Sequence, residues 1–179
     1  MVEFAVVAPV FFALIFAMVN GGLLLFSMNA VGNATTVGSN SLAAIGNKST
    51  ADVTSLTKMV AQGLGNTGLI APGEVDVAKL VASANGFATN PDGSPQVSNT
   101  CGTPPTSACM NTYTVSNVGG SITVTATNST PYQPSSRNVQ NGTSDFIELV
   151  VHYKYRFFFG IAPDLNLTAT KTLRLEPQL

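Results

Sequence analysis

Charge is what this chain has least of. Lys, Arg, Asp and Glu make up 9% of its 179 residues, against about 25% in an ordinary soluble domain. The net charge of -1 provides no basic footprint for nucleic acid, and none is expected as a partner. Trp is absent, and His152 is the single histidine. With two cysteines besides, the chain falls short of the four Cys/His ligands of a structural zinc site, so no metal is expected. No Ser or Cys nucleophile has a motif around it, and no Gly-rich phosphate loop follows a strand. The expectation is therefore no catalytic residue, no cofactor and no enzyme activity.

The shortage of charge is most pronounced at the start. Glu3 is the only charged residue before Lys48. It heads the run Phe4 to Met28, in which Asn20 is the one strongly polar side chain and Pro9, Gly21, Gly22 and Ser27 are the other breaks. Roughly twenty apolar residues cross a bilayer, so this segment is long enough to span one. A carboxylate beside such a helix is costly to bury without a neutralising partner. With no local Lys or Arg, the nearest cation is an amino terminus. A secretory leader needs a basic region before its apolar run. The simplest account is a short basic leader removed ahead of Met1, and the alternative is an uncleaved anchor beginning at Met1.

Residues 3 to about 64 read as one long helix. Val37, Leu42, Ile45, Val53, Leu56, Val60 and Leu64 recur at helical intervals with some irregular gaps. Its second half is rich in Gly, Asn, Ser and Thr, so it needs other elements around it. Pro9 should bend or loosen the helix by removing the hydrogen bond to the Ala5 carbonyl, and Gly21, Gly22 and Gly32 are further weak points. Ala13, Ala17 and Gly21 form a row of small residues that lets another helix approach closely. After a break at residues 66–73, Pro72, Glu74 and Asp76 resemble a helix start. EVDVAKLVASANG then reads as a short amphipathic helix ending near Gly86.

Residues 88–111 are rich in Pro, Gly, Ser and Asn and should form a surface loop. Cys101 and Cys109 bracket its end and should pair as a disulfide in an oxidising compartment. Closing so small a loop contributes about 2–3 kcal/mol. TYTVSN and SITVTAT alternate as strands about a turn at Val118, Gly119 and Gly120, and residues 128–144 form a second polar loop. In DFIELVVHYKYRFF the apolar positions are Ile147, Leu149, Val151, Tyr153, Tyr155 and Phe157. In LNLTATKTLRL they are Leu165, Leu167, Ala169, Leu173 and Leu175. Gly160 to Asp164 makes the turn between them. Such strands have one dry face and one wet face, His152 falls on the wet one, and the upper part of the long helix is the obvious cover for the dry one. The fold class is α+β: a long N-terminal apolar helix with a small head of antiparallel sheet packed on its C-terminal half. The helix occupies 1–64, and the head, with its short helix, disulfide loop and sheet, occupies 65–179. Asn-x-Ser/Thr sequons stand at Asn33, Asn47, Asn128, Asn141 and Asn166. Those in the loops, Asn128 and Asn141, are the possible glycosylation sites.

VEFAVVAPVFFALIFAMVNGG resembles the N-terminal signature of TadE-like pilins of the tight-adherence (Tad) branch of type IV pili, at Glu3, Phe4, Ala5 and Pro9. The C-terminal Thr168, Thr170, Arg174 and Glu176 resemble the family more loosely. The resemblance implies a leader removed by a prepilin peptidase, residence in the inner membrane before assembly, and recruitment by the pilus machinery into a homopolymer at the cell surface. Glu3 would meet the amino group of a neighbouring subunit, and Phe4, Pro9, Ala13, Ala17 and Gly21 would lie at subunit contacts. The family's glutamate usually lies farther from the cleavage site, which leaves the mature end open. Members often carry an acid and a base just past the apolar run, whereas here no base follows until Lys48. A helix without such exit charges suits a filament core. The expected function is a structural pilin of an adhesive pilus. The alternatives are a membrane-anchored accessory pseudopilin that primes assembly and a single-pass surface binding module.

Overall fold

The computed structural model describes residues 2–64, 75–83, 110–118, 121–127, 133–137, 139, 146–157 and 163–176, with the side chains of 2–5, 63, 75–83, 117, 118 and 136 outside that description. Helix α1 runs Val2–Ile45 and continues through Pro9. At about 1.5 Å per residue it is about 66 Å long.

The helix does not continue to residue 64. It ends at Ile45, a turn occupies 46–50, and α2 (Ala51–Lys58) leads into a π-helical segment, Met59–Leu64. The chain has reversed, because a Cβ built on Gly38 would lie 3.0 Å from the Cβ of Met59. On a single straight helix those residues would stand about 30 Å apart. The physical reason is local: Gly46, Asn47, Ser49 and Thr50 favour turns over helix interior. The Lys48 N–H donates to the Ile45 carbonyl and the Ala51 N–H to the Lys48 carbonyl, both at 2.9 Å, closing the turn.

The head is a five-stranded antiparallel sheet in the order β3-β2-β1-β4-β5. Its strands are β1 (Val75–Ser83), β2 (Met110–Val118), β3 (Ser121–Ala126), β4 (Phe146–Tyr155) and β5 (Leu165–Arg174). The segment expected as a short helix near 74–86 is therefore the central strand. Nine residues make a marginal helix, and Val75, Val77 and Val81 favour a strand. As β1 this segment pairs with both β2 and β4, satisfying ladders that would otherwise end in two open edges. Strands β2 and β3 form the expected hairpin, with a register that runs to Val118↔Ser121. Gly119, Gly120, Cys101, Cys109, Asn128 and Asn141 lie outside the described residues, and with them the turn, disulfide and glycosylation expectations.

Alternation in β4 sorts as expected. Ile147, Leu149, Val151, Tyr153 and Tyr155 are buried, and the residues between them are half-buried. This dry face packs on the upper half of α1, where Val31, Ala34 and Leu42 join Leu56, Met59, Val60, Leu64 and Leu175 in one core. Small residues on α1 (Ser27, Ala30, Ala34, Thr35, Gly38 and Ser39) are buried against the head and the returning helix. Their hydroxyls are satisfied within α1. Ser27 donates to the Leu23 carbonyl at 2.8 Å and Thr35 to the Val31 carbonyl at 2.7 Å. A polar, small-residue helix half is thus stabilised by close packing rather than by propensity.

Candidate functional site

Two halves of α1 meet different surroundings. No described residue before Asn20 is buried, whereas from Ser27 onward the helix carries a continuous buried stripe. The projecting half is apolar on every side. Phe11 is 57% exposed, Phe12 54% and Met18 74%, with Val6, Val7, Val10, Leu14, Val19, Leu25 and Phe26 also exposed. A helix that is apolar all round belongs in lipid or in a protein core. Among the described residues, the span from Val6 to Ile45 is the helix long and apolar enough to cross a membrane.

One side of the projecting half is shaped. Pro9, Ala13, Ala17 and Gly21 recur every four residues, so they form a single row along the helix. They floor a cleft of about 560 Å³ whose walls are Phe12, Phe16, Asn20 and, from the head, Phe157. Phe157 is held there by β4. Its ring lies 5.2 Å from that of Tyr155 in an edge-to-face contact, and the Tyr155 hydroxyl donates to the Asn20 carbonyl at 3.4 Å. The Asn20 side chain donates to the Phe16 carbonyl at 2.9 Å, so the one strongly polar residue of the run is satisfied by its own helix. A floor of small residues between aromatic walls accepts the side-chain ridge of another helix. The row read from the sequence thus lines one cleft, and Phe157 is the member that the row alone does not reveal. The backbones of Glu3 and Phe4 belong to α1, but their side chains lie outside the described residues.

A second constellation went unforeseen. Asp52, in the first turn of α2, is 2% exposed and Arg137 is 4% exposed. The guanidinium grips the carboxylate through Nη1 to Oδ1 at 2.5 Å and Nη2 to Oδ2 at 2.8 Å. Asn111 Nδ2 donates to Oδ2 at 3.0 Å and the Tyr113 hydroxyl does so at 2.7 Å. Arg137 Nη1 also donates to the Gly46 carbonyl at 3.1 Å. Burial, then the adjacent Asp52 carboxylate, pushes the Tyr113 phenol well above its ordinary range. The cluster ties the turn after α1, the start of α2, β2 and the segment after the 3₁₀ turn Pro134–Ser136 into one unit. Both charged side chains are buried and joined across three separate segments, so the cluster fastens the head. The signal that could have found it is scarcity: Asp52 is the one acid between Glu3 and Glu74, and Arg137 the one Lys or Arg between Lys79 and Lys154.

His152 lies half-buried on the other face of the sheet, with Nδ1 3.1 Å from Thr168 Oγ1. Among the described residues, no three His, Cys, Asp or Glu side chains gather as a metal site would require.

The family model of TadE-like proteins matches residues 1–39, which span the projecting half of α1 and the start of its buried stripe. No curated protein and no solved structure shows significant similarity to the chain. The match therefore includes the exposed apolar half of α1 and its cleft-forming row.

Proposed function

We propose that this chain is a structural pilin subunit that polymerises through α1 into an extracellular type IV-like (Tad) pilus for surface adhesion. The observation that carries the proposal is the projecting half of α1, with its full apolar circumference and its cleft floored by Pro9, Ala13, Ala17 and Gly21. In the inner membrane these side chains are solvated by lipid. In a filament they are covered by the same helices of neighbouring subunits, and each Å² kept from water contributes about 25 cal/mol. Helix α1 has no Lys, Arg, Trp or Tyr, the residues that hold a resident membrane helix at the interface. That favours withdrawal from the bilayer into a filament over permanent anchorage. Glu3 pairs with the amino terminus of a neighbouring subunit, because two opposite charges tolerate a dry surround far better than one. A prepilin peptidase frees that terminus and the pilus machinery drives assembly.

Sheared surface filaments provide the test. Filaments composed mostly of this chain are expected from wild-type cells. Glu3→Ala, or Ala17→Phe to fill the cleft, is expected to abolish them while the protein still accumulates in the membrane. Normal filaments from both variants would overturn the assembly mechanism. Filaments in which this chain is a trace component would mark an accessory pseudopilin, and a head that binds a partner on cells without filaments would mark a surface binding module.

A further inference from the structure

The sheet has two edge strands, β3 and β5, and they are furnished differently. Strand β5 carries Lys171 and Arg174, both exposed, and such charges blunt an edge against pairing. Strand β3 reads Ser-Ile-Thr-Val-Thr-Ala, with no charge and no proline. Its register with β2 runs from Tyr113↔Ala126 to Val118↔Ser121 without a bulge. Neither charge, proline nor bulge blunts this strand, and α2 packs beside it where Ile122 and Val124 lie half-buried against the core.

One hydrogen bond establishes which groups that edge presents. The Thr127 N–H donates to the Thr112 carbonyl at 2.8 Å. In an antiparallel ladder, pairs that exchange hydrogen bonds alternate with pairs whose N–H and C=O groups point away. Thr125 with Thr114 and Thr123 with Ser116 are then exchanging pairs. Ile122, Val124 and Ala126 aim their backbone donors and acceptors off the open side, and no described residue pairs with them there.

We infer that β3 binds the β3 of a second copy of this chain, antiparallel, about a twofold axis at Val124. The edge is self-complementary in that arrangement. Val124 meets its own counterpart, Ile122 meets Ala126, and the exposed Thr123 meets the exposed Thr125. The outward groups of Ile122, Val124 and Ala126 all find partners, and the two heads share one continuous sheet. The alternative edge, β5, would lay Lys171 and Arg174 against a strand without an acid to meet them. A joint of this kind closes on itself, so it pairs heads and leaves elongation to α1.

Cross-linking of the full chain, dispersed in detergent so that α1 is shielded, tests the contact. Thr123→Cys chains are mixed with Thr125→Cys chains and oxidised, with the unsubstituted chain as the background for Cys101 and Cys109. Those positions would face each other at a Cα separation of about 4.5 Å, within disulfide reach. The mixture is expected to give at least tenfold more covalent dimer than either variant alone. A chain carrying both Thr123→Lys and Thr125→Lys sets lysine opposite lysine on an exposed face. It is expected to lose the dimer while its melting temperature is unchanged. Equal cross-linking in the mixture and the single variants, a dimer that survives the double lysine substitution, or an edge that takes up only a foreign extended peptide would each overturn the inference.

Discussion

Asp52 and Arg137, 85 residues apart in the chain, are joined at both carboxylate oxygens in the interior of the head. Such a pair is costly to bury and more costly to break, because removing one partner strands the other charge. Asp52→Ala or Arg137→Ala is expected to lower head stability by about 3–5 kcal/mol. Replacing both with apolar residues of similar size should cost much less. Denaturant unfolding of the three variants in detergent measures the difference, and near-equal losses would show that packing, not the stranded charge, is responsible.

Gly38 and Met59 set a second expectation. A methyl on Gly38 would stand 3.0 Å from Met59 Cβ and 3.3 Å from Leu149 Cδ2. Helix propensity favours Ala over Gly by about 1 kcal/mol, yet overpacking a tight contact costs about 1–3 kcal/mol. Gly38→Ala should therefore be neutral or destabilising. Gly32→Ala, on the exposed side with nothing within 4 Å, should be stabilising by up to about 1 kcal/mol. A melting temperature that rises for Gly32→Ala while that of Gly38→Ala stays level or falls would bear this out, and equal shifts would not.

Tyr113 makes the head sensitive to alkali. Its phenol ionises near 10.0 in the unfolded chain and higher in the folded one, through burial and the Asp52 carboxylate. Above that unfolded value, the unfolded state has released a proton that the native state retains, so stability falls as pH rises. Below it the contribution is fully present. Burial raises Tyr153 in the same direction. Denaturation midpoints should be independent of this group up to about pH 10 and decline above it. Tyr113→Phe should flatten that decline, and an unchanged slope in the variant would assign it to other groups.

The sequence was most readable where only one face is buried. Ile147, Leu149 and Val151 alternate with half-buried neighbours, and a period of two then admits only one register against α1. It was least readable at β1. Val75, Val77, Leu80 and Val81 fit a short helix as well as a strand, and only the hydrogen-bonding needs of β2 and β4, far away in the chain, decide between them. The reversal at 46–50 was hidden for a related reason. Leu42 before the turn and Leu56 and Val60 after it stand at near-helical spacing, because α1 and the returning segment both present apolar residues to the same core. In the candidate site, the row Ala13, Ala17 and Gly21 was legible as helical spacing, and the cleft adds Pro9 to it. Phe157 was not, since its place depends on where β4 ends beside Asn20.

That no described residue before Asn20 is buried bears on the order of events in the life of the chain. In the assembly proposed above, the head reaches its final packing while the first half of α1 is still dissolved in lipid, because no described residue of that half belongs to the core. Moving from bilayer to filament then requires no refolding of the head. It is an exchange of one apolar surround for another along a rod, to which the folded head adds a ready-made wall, Phe157.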